Sequence, residues 1–247
     1  LYGNEVQSII YVDLENYFGS ISHDLLSEIL SSKIKDRRFI RYIKRQFKAG
    51  VLWDGELSVS DEGVPQGSVC SPILSNIFAH HVIDEWFEYV VKPHCRGKVS
   101  LFRYCDDAVI CCQYESDRPR VMKALSQRLA KFKLKLNEEK TRSVSFSRPK
   151  PRSDKRDTFD FLGFTFYWGR SRKGSPMPKL KSSGKRLGSK LKRISEWAEK
   201  NRHRYGLMEL WSRFRAKLRG HIQYYGVSFN MRNVRTFLLQ ATRIVFK

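Results

Sequence analysis

The sequence predicts an α+β fold: a sheet with helices packed on one face, followed by a separate, strongly basic helical bundle. Three observations predict it. Short apolar runs alternate with stretches of helical periodicity through residue 146, in the order β-α-α-β-β-α-β-β-α-β. A segment dense in Pro, Arg and Lys, SRPKPRSDKRDT at 147–158, then interrupts the pattern. Charge divides the same way. Residues 1–147 carry 21 basic and 19 acidic side chains, a net of +2, whereas 148–247 carry 26 and 6, a net of +20. A near-neutral part followed by a basic part points to folding or catalysis in the first and polyanion binding in the second.

Residues 8–14, SIIYVDL, read as a short apolar strand ending at Asp13. A helix is expected from Ser22, a suitable N-cap, and a second from Asp36 to about Lys48. Phe39, Ile40, Ile43 and Phe47 share one face of that second helix, and Gly50 stops it. A hairpin over 51–60 leads to GVPQGSVCSP at 63–72, where Ser71 and Pro72 look like an N-cap and a first-turn proline. The following helix, to about Val90, places Ile73, Ile77, Val82, Trp86 and Phe87 inward. Residues 99–114 read as two strands around a turn at Cys105-Asp106-Asp107. A helix over 117–131 has Val121, Leu125, Leu129 and Phe132 at helical spacing, and a short strand with Val144 and Phe146 closes this part.

Beyond the linker, FDFLGFTFYW (159–168) begins a hairpin, followed by a Gly/Pro/Lys-rich loop. Three amphipathic helical patterns follow: Leu187, Leu191, Ile194, Trp197; then Leu207, Leu210, Trp211, Phe214, Leu218; then Val234, Phe237, Leu238, Ala241. The expected domains are 1–168 and 169–247.

The 247 residues have a mass of 29.1 kDa and are 41% hydrophobic, which excludes a disordered tail. No run approaches 18 apolar residues and no signal-peptide pattern opens the chain, so a cytoplasmic protein without a membrane partner is expected. The five cysteines are odd in number, and no Cys/His set has zinc-ligand spacing. They read as reduced thiols.

The chemistry concentrates at Tyr104-Cys105-Asp106-Asp107. Two adjacent carboxylates between two apolar strands sit where burial is expensive, and a third, Asp13, ends another apolar strand. Three carboxylates at strand ends suit two Mg²⁺ ions, or Mn²⁺ in their place, about 4 Å apart, the arrangement for in-line phosphoryl transfer.

Taken in order, DLENYF at 13–18, GVPQGSVCSPILSN at 63–76, YCDD at 104–107, FLGF at 161–164 and LRGHIQYYG at 218–226 resemble reverse transcriptases, most closely those encoded by bacterial group II introns. The resemblance implies a right-hand polymerase palm followed by a helical thumb, and an RNA-directed DNA polymerase that extends a DNA or RNA primer on an RNA template with dNTPs. It implies metal-binding roles for Asp13, Asp106 and Asp107, with Asp107 supporting, and for the backbone carbonyl of Leu14. Phe18 matches an aromatic gate against the ribose 2′-hydroxyl, and Gln66 and Gly67 match contacts to the incoming nucleotide. Lys140 matches a proton donor to pyrophosphate. Phe161, Leu162, Gly163 and Phe164 match a primer grip, and Lys185, Arg186, Lys190, Lys192 and Arg193 lie in the thumb-like part where nucleic-acid phosphates are expected. Family members carry a fingers region before the first aspartate. With only twelve residues ahead of Asp13, an upstream segment or another chain is expected to supply it. An RNA-binding maturase or scaffold without polymerisation is the alternative, and a reverse transcriptase recruited to antiviral, CRISPR-associated defence is another.

Overall fold

The computed structural model describes residues 5–53, 56–58, 62–64, 68–149 and 157–246. The chain forms two compact units, Gly3–Ser147 and Arg148–Lys247. This division by compactness falls ahead of residue 168, because the FLGF hairpin shares its sheet with a strand that leads into the helices of the second unit.

In the first unit, β1 (Ser8–Val12) is followed by α1 (His23–Lys33), α2 (Arg37–Lys48) and the hairpin β2 (Val51–Trp53) and β3 (Glu56–Ser58). Next come α3 (Ser71–Ala79), wider π-helical turns over His80–Glu85 and Phe87–Val91, and α4 (Lys92–His94). The unit ends with β4 (Val99–Tyr104), β5 (Asp107–Cys112), α5 (Arg118–Lys131) and β6 (Arg142–Ser145). The sheet has the order β4-β5-β1-β6 and is antiparallel throughout. Strand alternation sends Ile10, Val12, Ala108, Ile110 and Cys112 to one face, where α1, α2, α3 and α5 supply Leu26, Ile43, Phe78 and Leu125. The fully buried Phe78 and Phe87 each contribute about 1.5–3 kcal/mol by leaving water. That core exceeds the roughly 1–2 kcal/mol cost of a left-handed residue at a turn.

Asp36 caps α2 by accepting from the Arg38 and Phe39 N–H groups, and Gly50, at φ +70°, follows the helix end. Phe39 is exposed, however, and the buried stripe is Ile40, Ile43 and Phe47. The Ser71 cap is also corrected: Cys70 occupies the N-cap and Ser71 is the first helical residue. Ile73 is exposed, and the inward face is Leu74, Phe78 and Val82, then Ile83, Phe87 and Val91. Up to Val82 the stripe keeps α-helical spacing on a face one residue on from Ile73, and beyond it the π-helical widening shifts the stripe away from a 3.6-residue period. Arg128 joins the wide turns to α5, its guanidinium donating to Val82 O at 3.0 Å and His81 O at 3.3 Å.

The second unit contains β7 (Phe159–Phe161), β8 (Phe164–Arg170), β9 (Pro176–Ser182), α6 (Gly184–Asn201), α7 (Leu207–Tyr225) and α8 (Met231–Val245). β9, expected as part of a loop, pairs along the whole of β8 as an edge strand. Pro176 and Pro178 hid it from periodicity, yet an edge position tolerates proline because one side needs no ladder donor. The buried Asn230 ties β9 to the helices: Ser182 N–H donates to its Oδ1 at 2.7 Å, and its Nδ2 donates to Tyr225 O at 2.8 Å. Ile194, Ala198, Leu210, Phe214, Phe237, Ala241 and Val245 form the helical core, whereas Leu207, expected inside, is exposed.

His221 is buried in this unit between the rings of Tyr225 and Phe237, with centroids 4.7 and 3.6 Å away. Burial, then the Lys190 charge, push its pKa down to about 4. Its folded pKa lies below the unfolded one, so its contribution is full at neutral pH and is lost as pH falls from about 6.5. Thermal melts between pH 7 and pH 5 are expected to show this loss, and His221→Phe to flatten it. An unchanged slope in that variant contradicts the assignment.

Candidate active site

Val12 of β1 is registered against Ala108 of β5. Continued one step past this last pair, the register runs to Asp13 and Asp107, on the face that Tyr11 and Val109 share. Tyr104 pairs with Asp107, which leaves Cys105 and Asp106 as a two-residue hairpin loop. Cys105 has φ +55°, the sign a primed turn needs at its first central residue. All three aspartates therefore gather at one end of the sheet, brought there by strand register rather than by sequence proximity.

Their neighbours are specific. The Tyr11 hydroxyl, two residues before Asp13 on the same strand face, donates to Asp107 Oδ1 at 2.7 Å. Lys140 Nζ lies 3.5 Å from Asp13 Oδ2, with the Asp13 side chain only 15% exposed. The LNEEKT segment reaches the site because its backbone is fastened to β1's end. Asn137 N–H donates to Asp13 O at 2.9 Å, and the Thr141 hydroxyl donates to the same carbonyl at 3.3 Å. Lys140 N–H in turn donates to Asn137 Oδ1 at 3.2 Å. Leu14 is buried and bridges to Leu136. Tyr11, Asn137 and Thr141 were not identified from sequence. Period-two alternation through Tyr11 and Asp13 was the signal available for the first of them.

Burial, then the negative charges of Asp107 and Asp13, hold the Asp106 carboxyl above the usual carboxylate range, with Lys140 opposing. Burial, the Asp107 hydrogen bond and the three aspartate charges raise the Tyr11 hydroxyl as well. This accumulation of hard oxygen donors and like charge fits a divalent cation in its chemistry. Among the described residues no three His, Cys, Asp or Glu side chains converge on an ion as they stand. Asp107 is turned to Tyr11, and Asp13 to Lys140.

A raised carboxyl pKa favours the protonated form in the fold. Its stabilising contribution is present below the ordinary carboxylate pKa and is lost as pH rises through the raised value. Asp106→Asn is therefore expected to raise the melting temperature of metal-free protein at pH 7 by about 1–3 °C. The gain should shrink below about pH 4. Melting curves at both pH values check it, and no gain at neutral pH contradicts it.

The segment after Asp13 turns sharply at Asn16, φ +42°, and the Tyr17 hydroxyl fastens it to α3 by donating to Ser75 O at 2.5 Å. Phe18 is half-buried, edge-on to Tyr17 with ring centroids 5.4 Å apart, and its carbonyl accepts from Val64 N–H at 2.8 Å. Gly63, at φ +91°, donates to Ile21 O at 2.8 Å. A Cβ there would lie 3.1 Å from Gly19 O and in a left-handed backbone conformation, so a side chain would be both crowded and strained. Gln66 and Gly67 lie outside the described residues.

In the second unit, Leu162 and Gly163 form the β7–β8 loop with φ of +49° and +79°, a turn that needs both left-handed. A Cβ on Gly163 would stand 2.7 Å from the Tyr225 hydroxyl. Tyr224 OH donates to Leu162 O at 2.8 Å, and Phe164 stacks on Tyr224 with centroids 5.8 Å apart. Phe161 and Phe164 are half-buried. On α6, Lys185, Arg186, Lys192 and Arg193 are exposed, and Lys190 is half-buried with Nζ 4.4 Å from the Tyr225 ring centroid. Burial, then Arg186 and Arg193, push the Lys190 ammonium pKa down.

A four-stranded antiparallel sheet with helices on one face has the architecture of a polymerase palm. A family profile described as reverse transcriptase (RNA-dependent DNA polymerase) matches residues 3–166. The chain belongs to that family. It is 28% identical over 197 residues to Protein YkfC of Escherichia coli K12, covering 67% of this chain and 48% of that protein. It is 34% identical over 70 residues to the group II intron-encoded protein LtrA of Lactococcus lactis, covering 28% and 12%. The fold is also that of a Candida albicans telomerase solved with a fragment of telomeric RNA, with TM-score 0.54 and 14% identity over 97% of this chain and 43% of that one. The chain spans about half the length or less of the curated relatives it matches. Among the described residues no helix is long and apolar enough to cross a membrane.

Proposed function

We propose that this chain carries the polymerase palm and thumb of a group II intron-like reverse transcriptase, extending a DNA or RNA primer on an RNA template with dNTPs. The observation that carries the reading is the strand register that brings Asp13, just past β1, toward Asp107 at the start of β5, with Asp106 in the β4–β5 turn. Two Mg²⁺ ions held by Asp13, Asp106 and the Leu14 carbonyl would lower the pKa of the primer 3′-hydroxyl and neutralise the pyrophosphate leaving the α-phosphorus. Asp107 supports them, with Tyr11 occupying its Oδ1 and fixing the carboxylate. Lys140, whose ammonium lies 3.5 Å from Asp13 Oδ2, would be the group near the site able to give a proton to pyrophosphate. Gln66 and Gly67 contact the incoming nucleotide, and Phe18 excludes a 2′-hydroxyl.

Primer extension on an RNA template with Mg²⁺ and dNTPs tests the reading. Template-length product supports it. Salt-sensitive RNA binding without product supports the non-polymerising maturase instead.

The basic face of α6 serves RNA binding in either case. Replacing Lys185, Arg186, Lys192 and Arg193 by glutamine is expected to flatten the plot of log affinity against log salt by roughly one unit per lost phosphate contact. An unchanged slope removes α6 from the interface. Lys190 is expected to contribute less, since the Tyr225 ring already occupies its ammonium.

A further inference from the structure

Arg103 is a charged residue inside an apolar strand, and its side chain is only 10% exposed. Its guanidinium makes a bidentate pair with Asp84: Nε donates to Oδ1 at 2.7 Å and NH2 to Oδ2 at 2.6 Å. NH1 donates to Asn76 Oδ1 at 3.0 Å and to the backbone carbonyl of Cys105 at 2.8 Å. Asn76 lies on α3 and Asp84 in the π-helical turns that follow it. His80 also faces Asp84, with Nδ1 3.2 Å from Oδ2. One side chain thus connects the long helix to the loop that presents Asp106.

The Cys105 carbonyl is the consequential contact. It belongs to the peptide unit whose N–H is that of Asp106, so holding this oxygen holds the plane from which the Asp106 carboxylate projects. The loop needs such a hold. Cys105 occupies a left-handed conformation without being glycine, and Tyr104 beside it is largely exposed, so the loop has little packing of its own. A lone surface hydrogen bond would fray. This one is rigid because Asp84 fixes the planar guanidinium at two points and Asn76 at a third.

We propose that Arg103, oriented by Asp84 and Asn76, is a positioning residue that locks the Cys105–Asp106 turn in the geometry needed for nucleotidyl transfer. This rests on the polymerase reading above. The π-helical widening acquires a purpose on this account: it is the segment from which Asp84 meets Arg103.

The test combines steady-state primer extension with hydrogen–deuterium exchange and melting curves on Arg103→Gln, Asp84→Asn and the swap Arg103→Asp/Asp84→Arg. Arg103→Gln is expected to lower kcat roughly 100-fold, the scale of a misplacement near 1 Å, with KM for dNTP within about threefold. Exchange in the peptide over 104–108 should rise about tenfold, while 8–12 stays protected. The swap restores an ion pair and the melting temperature but not kcat, because an aspartate at 103 cannot donate to the Cys105 carbonyl. Wild-type kcat in Arg103→Gln overturns the proposal, as does joint recovery of kcat and melting temperature in the swap. Should Arg103→Gln fail to fold, Asp84→Asn carries the same comparison. If the wild-type chain extends no primer even with a fingers segment supplied, the polymerase reading fails, and exchange at the turn still decides whether Arg103 anchors it.

Discussion

Asp106→Ala combined with Asp107→Ala is expected to abolish primer extension, by about 10⁴-fold or more, while RNA affinity stays within about threefold of wild type. Asp106 and Asp107 are two of three carboxylates that register brings to one sheet end, where burial, then the charges of Asp107 and Asp13, raise the Asp106 pKa. Removing both leaves Asp13 alone beside Lys140, which neutralises it and leaves no donor set for a pair of divalent ions. The basic second unit is untouched, so phosphate binding persists, and the loss of two negative charges tightens it slightly if at all. Extension assays beside filter binding separate the two quantities. Equal extension by wild type and the double variant would remove the two-metal assignment.

Phe18→Ala is expected to lower the preference for dNTP over rNTP by about 100-fold, the scale on which an apolar pocket rejects an added hydroxyl. Phe18 stands five residues after Asp13 on a segment fixed at three places: the Asn16 turn, the Tyr17 hydroxyl on Ser75 and the Val64 N–H on its own carbonyl. Its ring is half-buried, so a packing role competes with gating. The two are separable. Core packing alone predicts a lower melting temperature with unchanged sugar selectivity, because a cavity affects all nucleotides alike. Single-nucleotide incorporation with paired dNTP and rNTP reads the ratio directly.

Much of the architecture was legible because local pattern and global fold agree. SIIYV of the expected strand forms β1, Asp36 caps α2, and the stripe Val121, Leu125 and Leu129 is buried as its spacing requires. The misreadings share a cause, since each lies where tertiary contacts override a local period. Ile73 faces out because the helix packs through the neighbouring stripe Leu74, Phe78 and Val82, a choice of face made by the sheet it meets. β9 has proline-rich chemistry that reads as loop and becomes a strand only through pairing with β8.

The candidate site divides along the same line. Sequence by itself singled out Asp13, Asp106 and Asp107, placed them at the ends of apolar strands, and set a basic, helical second part after a near-neutral first. Those are properties of residue type and spacing. Only the tertiary structure decided what surrounds them: Tyr11 on Asp107, Lys140 on Asp13 and Arg103 on the Cys105 carbonyl. Tyr11 and Asp107 are separated by 96 residues, and Asp13 and Lys140 by 127. Such pairs depend on strand register and on side-chain rotamers set by packing, which no local pattern along the chain encodes.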